Sequence, residues 1–151
     1  MTTTVRTFDA PIADVYATIV EPTTYPRWLV GAKRIRTVAP QWPAAGSWFE
    51  HVVGFGPFQL ADRTTSLGAV APCHLELLVR ARPLLKATVR FDLEERSDSC
   101  VLTMTETPQG MYRRIAGLAA PILRRRNERS LERLGAAVDV RRGRPAPTNR
   151  R

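Results

Sequence analysis

Three polar side chains, His51, Glu106 and Asn127, fall in segments whose neighbours at the same periodicity are apolar. An imidazole in such a setting exchanges hydrogen bonds and can serve as a general acid or base near neutral pH. A carboxylate there acts as a base or holds a ligand hydroxyl, with a raised pKa if it is buried. A carboxamide orients a carbonyl. His51 and Glu106 are therefore the acid/base candidates, and neither is assigned a catalytic step. Each also has a plain structural explanation. Trp48 offers the opposite strand parity to Phe49 and would turn His51 to the surface. Glu106 lies near a strand end, where it can be solvated or paired with an arginine, and Asn127 can be the polar edge of a helix.

The elements that must position these groups follow from periodicity. Residues 3–8 read as a strand ended by Asp9-Ala10-Pro11. Pro11 suits a first helical turn, where its missing N–H costs nothing, and Asp14 suits the positive end of the helix dipole. Ile12, Val15, Tyr16 and Ile19 recur at helical spacing until Pro22. Thr23 to Leu29 forms a second short helix or turn, and Ile35 to Val38 a brief strand before a loop marked by Pro40, Pro43 and Gly46. Strands follow at Trp48–Val53, Phe58–Leu67, His74–Arg82, Leu85–Glu94 and Val101–Thr107. Gly54-Phe55-Gly56-Pro57, Gly68–Pro72 and Arg96–Ser99 are the turns, and Pro83 is a break.

Alternation then sorts the faces. Leu75, Leu77, Val79, Ala87, Val89, Phe91, Leu102 and Met104 share the inward side of an antiparallel sheet wet on its other face. Glu106 has the parity of Leu102 and Met104, and if Phe49 points inward then His51 and Val53 do too. Arg80 and Arg82 share parity with His74 and Glu76 on the wet side. Trp28, Tyr25 and Phe55 border the entrance, and Trp28, Phe49, Phe55 and Phe91 are either site aromatics or plain core. The ligand-facing set is thus Trp28, Phe49, His51, Phe55, Leu75, Leu77, Val89, Phe91, Leu102, Met104, Glu106 and Asn127.

A closing helix carries Ile115, Leu118, Ala119, Ile122 and Leu123, continued by Leu131, Leu134 and Val138, as its inward stripe. Asn127 shares the stripe of Leu123, Leu131 and Leu134. Pro121 predicts a kink or a restart. Arg124, Arg125, Arg129 and Arg133 take the outer face, and a basic tail over 141–151 has no apolar period and is expected to be disordered.

Composition bounds the function. A chain of 151 residues with 44% hydrophobic content fits one domain with a real core. Residues 111–151 hold twelve arginines against Glu128, Glu132 and Asp139, which accounts for the whole net charge of +9. The bland explanation is a solvated helix face and tail; the alternative is contact with an anionic surface. No aromatic follows Tyr112, so stacking platforms for single strands are missing there and nucleic acid is not an expected partner. No apolar run is long enough to span a membrane and no secretory signal opens the chain, which predicts a cytoplasmic protein with Cys73 and Cys100 as reduced thiols. There is no phosphate-cradling glycine loop, nucleophile elbow or dinucleotide fingerprint. His51 and His74 lack metal-ligand spacing, so neither a metal nor a cofactor is expected.

Several stretches, taken in order, carry a resemblance: Val5-Arg6-Thr7-Phe8-Asp9-Ala10-Pro11 with Val15-Tyr16, then Tyr25-Pro26-Arg27-Trp28, then Phe49 to Pro57, Leu102 to Glu106, and Arg125 to Leu131. Together they resemble the START-like (SRPBCC) superfamily, nearest its polyketide cyclase/dehydrase branch, over residues 3–138. The resemblance implies an α+β helix-grip fold over residues 1–140: a curved antiparallel sheet of about six or seven strands around a long C-terminal helix, with two short helices after strand 1. It also implies a cavity between sheet and helix. The function expected is binding or transport of a hydrophobic or aromatic small molecule by a monomer or homodimer. The alternative is a cofactor-independent cyclase or dehydratase using His51 and Glu106. A regulatory or interaction protein working through the Arg-rich helix and tail is a further alternative.

Overall fold

A computed structural model describes residues 1–55, 57–81 and 85–145. Strand β1 (Thr2–Phe8) leads into helix α1 (Ile12–Val20), a 3-10 turn (Pro22–Thr24) and the short helix α2 (Tyr25–Trp28). Six strands follow: β2 (Ala32–Val38), β3 (Trp48–Phe55), β4 (Phe58–Val70), β5 (His74–Ala81), β6 (Leu85–Arg96) and β7 (Ser99–Pro108). Helix α3 (Tyr112–Arg141) closes the domain. The strands form one antiparallel, seven-stranded curved sheet in the order β1-β7-β6-β5-β4-β3-β2, an α+β helix-grip arrangement. The path from β1 to β2 thus crosses the whole sheet through α1 and α2.

Local chemistry explains the boundaries. Pro11 stands just before α1 and its carbonyl accepts from the Asp14 and Val15 amides at 3.1 and 3.3 Å. Glu21 caps the 3-10 turn by accepting from the Thr23 amide and hydroxyl. The β3–β4 turn is tighter than the sequence predicts: Gly54 and Phe55 stay in the ladder, with Phe55 paired to Phe58. β4 likewise continues to Val70, past Gly68, where a register shift lets the strand bend and still pair with β5.

One core holds the layers together. Val15, Tyr16 and Ile19 of α1, Trp28 of α2 and Leu131, Leu134 and Val138 of α3 pack on Leu75, Leu77, Phe91, Leu93, Leu102 and Met104. Trp28 donates to the Thr24 hydroxyl at 3.0 Å and Trp42 to the Val20 carbonyl at 2.6 Å, so both indoles are satisfied inside apolar surroundings.

Helix α3 departs from its predicted stripe. It runs unbroken through Pro121. Ala119 and Leu123 pack on Ala87, but Leu118 is 88% exposed and Ile122 73% exposed. The reason is geometric: at that end one narrow line of the helix meets the sheet, and residues one position to the side miss it. Ile115 lies outside the described side chains. Helix α3 also runs to Arg141, one residue into the tail expected from position 141. Arg142 donates to the Asp9 carbonyl at 2.8 Å and pairs with Asp14 at 3.4 Å, tying the helix end to the start of α1. Residues 146–151, the rest of that expected tail, and Arg82 of the expected fifth strand lie outside the described residues. Among the described residues no helix is long and apolar enough to cross a membrane.

Candidate functional site

A cavity of about 120 Å³ lies between the sheet and α3. Its floor comes from alternate residues of the central strands: Leu77 and Val79 of β5, Ala87, Val89 and Phe91 of β6, and Met104 of β7. Phe49, His51 and Val53 of β3 form one wall, and Tyr25 with the segment 29–32 and Ile35 forms the rim. The lining is dominantly apolar. Its polar exceptions are Thr64, His51, Glu106, Arg80 and Arg126.

Strand parity settles the position of His51. Trp48 turns to the outer face, where Arg63 stacks 3.9 Å from its ring centre while pairing with Glu50 at 3.0 Å. Phe49, His51 and Val53 therefore point to the cavity. Burial pushes the His51 pKa down, opposed by the Asp62 charge across the strand pair and by the Phe49 backbone. The ring sits edge-on to Phe49 at 5.6 Å, and its Nδ1 is 3.5 Å from the Thr64 hydroxyl, at the outer limit for a hydrogen bond. A neutral imidazole on an apolar wall results.

Glu106 is carried inward by the pleat of β7, two residues after Met104, and is 2% exposed. Its Oε2 accepts from Arg126 Nη2 at 2.5 Å and from Asn127 Nδ2 at 3.2 Å. Arg126 also donates to Asn127 Oδ1 at 2.9 Å, closing a triangle of three side chains. Both helix residues are adjacent in sequence, so one turn of α3 supplies a charge and an amide to a single carboxylate oxygen. Ser130 continues the network, donating to the Arg126 carbonyl at 2.9 Å and accepting from the Val30 amide at 3.1 Å. The rim segment is thereby fastened to α3.

The remaining expected site residues divide. Phe49, Leu77, Val89, Phe91 and Met104 line the cavity with His51 and Glu106. Leu75, Leu102 and Trp28 are fully buried core behind it, and Asn127 reaches it only through Glu106 and Arg126. Trp28, expected at the entrance, is instead fully buried in the core, where α2 packs against α3. The backbone of Phe55 ends β3, and its side chain is outside the described residues.

Two residues that sequence reasoning missed matter here. Arg126 sits in a run of three arginines, and nothing in its type separates it from outward-facing Arg124 and Arg125; only its adjacency to Asn127 could have marked it. Arg80, expected on the wet side of β5, also borders the cavity, near the end of the strand. Tyr25 is buried along the rim, and its hydroxyl has no hydrogen-bond partner among the described residues. Desolvation pushes its pKa upward, so it stays a neutral donor. A buried donor without a partner is uncommon and marks a place where a ligand atom or water would be stabilising.

Among the described residues no three His, Cys, Asp or Glu converge as a metal site, and Cys73 and Cys100 are free thiols. The family model described as "Polyketide cyclase / dehydrase and lipid transport" matches residues 1–139. Curated proteins hold no match to the chain. Solved structures of similar fold include protein NE0264 from Nitrosomonas europaea, with a TM-score of 0.72 at 17% identity, covering 92% of this chain and 94% of that one. CalU16 from Micromonospora echinospora has a TM-score of 0.63 at 15% identity, covering 93% and 77%. DynU16, a protein of the dynemicin biosynthetic locus, has a TM-score of 0.65 at 16% identity, covering 99% of this chain and 50% of its own.

Proposed function

The chain belongs to the polyketide cyclase / dehydrase and lipid transport family, and from that premise we propose that it binds a hydrophobic or aromatic small molecule between the sheet and α3. The observation that carries this reading is an apolar cavity with a few converging polar groups: Glu106 and Arg126 at one side, His51 on a wall and, at the rim, the Tyr25 hydroxyl, which has no partner among the described residues. Size narrows the ligand. Apolar cavities of about 150 Å³ take up benzene, whereas drug-sized ligands fill about 300 Å³ or more. A volume of about 120 Å³ thus suits one ring or a short branched chain, and anything larger must lie partly outside or part the rim from α3. The apolar body would rest on Val89, Phe91 and Met104, with a hydroxyl or carbonyl towards the Glu106–Arg126 pair.

Calorimetric titration with p-cresol and toluene tests this. We expect saturable binding of both, with p-cresol tighter because its hydroxyl meets the polar cluster. Val89→Phe, which fills the floor, should weaken p-cresol at least tenfold while the melting transition stays cooperative. No saturable binding, or p-cresol binding unchanged in the filled variant, would sink the proposal.

One observation favours a second reading, a cofactor-independent cyclase or dehydratase acting on polyketide-like substrates. His51 is held neutral beside the cavity by burial and so can accept a proton. Glu106, with Oε2 taken by Arg126 and Asn127, suits orientation better than proton transfer. Under this reading His51→Gln abolishes turnover while p-cresol still binds saturably.

A further inference from the structure

We propose that the outer face of the first half of α3 docks onto an anionic lipid surface, placing the cavity's α3 side against the bilayer. Met111, Arg114, Leu118, Ile122, Arg125 and Arg129 succeed one another at intervals of three or four residues and so share one helix face. All six are exposed, with Met111 at 77%, Leu118 at 88% and Ile122 at 73%. Large aliphatic side chains this exposed on one line of a helix, with nothing packed over them among the described residues, are not an ordinary solvated surface.

Charge selects the partner. From Met111 to Asn127 the chain contains five arginines and no Asp or Glu. Arg126 turns inward to Glu106, while Arg113, Arg114, Arg124 and Arg125 are exposed and bracket the aliphatic stripe. An amphipathic helix with Leu, Ile and Met on one line and arginines beside them suits the boundary between headgroups and acyl chains. Arginine stems can lie along the apolar layer while their heads reach the phosphates. A second copy of this chain would set these like charges against each other. A nucleic acid would leave the aliphatic side chains without a role, and no aromatic on this face offers a base to stack on.

The placement also has a consequence for access. The turn that exposes Leu118 and Ile122 is the turn whose Ala119 and Leu123 pack on Ala87, and Ala87 lines the cavity. A surface that draws on the exposed stripe therefore acts on the helix turn that packs against a cavity-lining residue. The docking itself does not rest on the ligand proposal, because vesicle binding is read without any ligand.

Co-sedimentation with phosphatidylcholine vesicles, with and without phosphatidylserine, provides the test. The full chain should bind the anionic vesicles, with affinity falling as salt is raised, and bind the neutral ones far less. Arg114→Gln with Arg125→Gln should cost about 25-fold, at about fivefold per arginine near such a surface. Leu118→Ser with Ile122→Ser should cost at least tenfold. Both pairs lie on an exposed face, so cooperative melting and p-cresol titration should match the parent. A control pair, Arg150→Gln with Arg151→Gln, should retain most of the binding. The proposal is overturned if the parent does not bind anionic vesicles, if the stripe variants bind like the parent, or if only the control pair abolishes binding. It is equally overturned if size-exclusion light scattering shows a dimer that the Leu118/Ile122 variant dissolves while vesicle binding persists.

Discussion

His51 and Glu106 meet opposite surroundings at the cavity. His51 has apolar neighbours and a distant hydroxyl, so burial governs it and its folded pKa lies below the ordinary 6.5. On acidification the unfolded chain takes up a proton at this site before the folded chain does. Stability therefore falls as pH drops through about 6.5, and levels off once the folded imidazole is also protonated. Urea unfolding at pH 7.5 and pH 5 should show that loss, and His51→Gln should remove its share; an unchanged pH slope in the variant would contradict the burial argument. Glu106 instead has an ion pair and an amide. Since Arg126 retains 21% side-chain exposure, the pair is partly screened, and Glu106→Gln should cost about 1–3 kcal/mol of unfolding free energy by urea denaturation rather than the larger loss of a fully buried pair. Combined with Arg126→Gln the loss should be less than additive, because both changes remove the same bond.

Among the elements, β3, β7 and α3 decide where chemistry can sit. The period-two pleat of β7 buries Cys100, Leu102, Met104, Glu106 and Pro108 in turn, so a carboxylate at an inward register goes inside whatever its cost. That cost is met by α3, whose Arg126 and Asn127 arrive at the same height. β3 relies on Gly54 at the hairpin end: a Cβ there would collide with the Phe58 carbonyl. Gly54→Ala should therefore destabilise by about 1–3 kcal/mol, seen as a lower melting temperature, because backbone must shift to relieve the overlap. Gly68 has open space around it, and Gly68→Ala should leave the melting temperature little changed. α3 shows the limit of periodicity. Residues 118 and 119, or 122 and 123, satisfy a helical apolar period equally well, and contact with Ala87 separates the partly buried Ala119 and the buried Leu123 from their exposed neighbours.

For the whole molecule, the layout was written in residue order. Alternation in β5 to β7, the Pro11 and Pro22 boundaries and the apolar line of Leu131, Leu134 and Val138 each report on nearest neighbours in the chain, and they sufficed for strands, helices and most of the inward set. Turns were less legible, since Gly54-Phe55 and Gly68 can end a strand or bend one, and hydrogen bonds to a partner strand chose the latter. What the sequence by itself determined is therefore the helix-grip frame, the excess of arginine in its last quarter and the parity of most cavity-facing residues. Only the tertiary structure decided that Trp28 is core rather than entrance, that one arginine of three turns inward to Glu106, and that Leu118 and Ile122 face outward. The physical reason is the same in each case. Local periodicity orients a side chain relative to its own element, whereas burial and pairing depend on a second element whose distance along the chain carries no periodic signal.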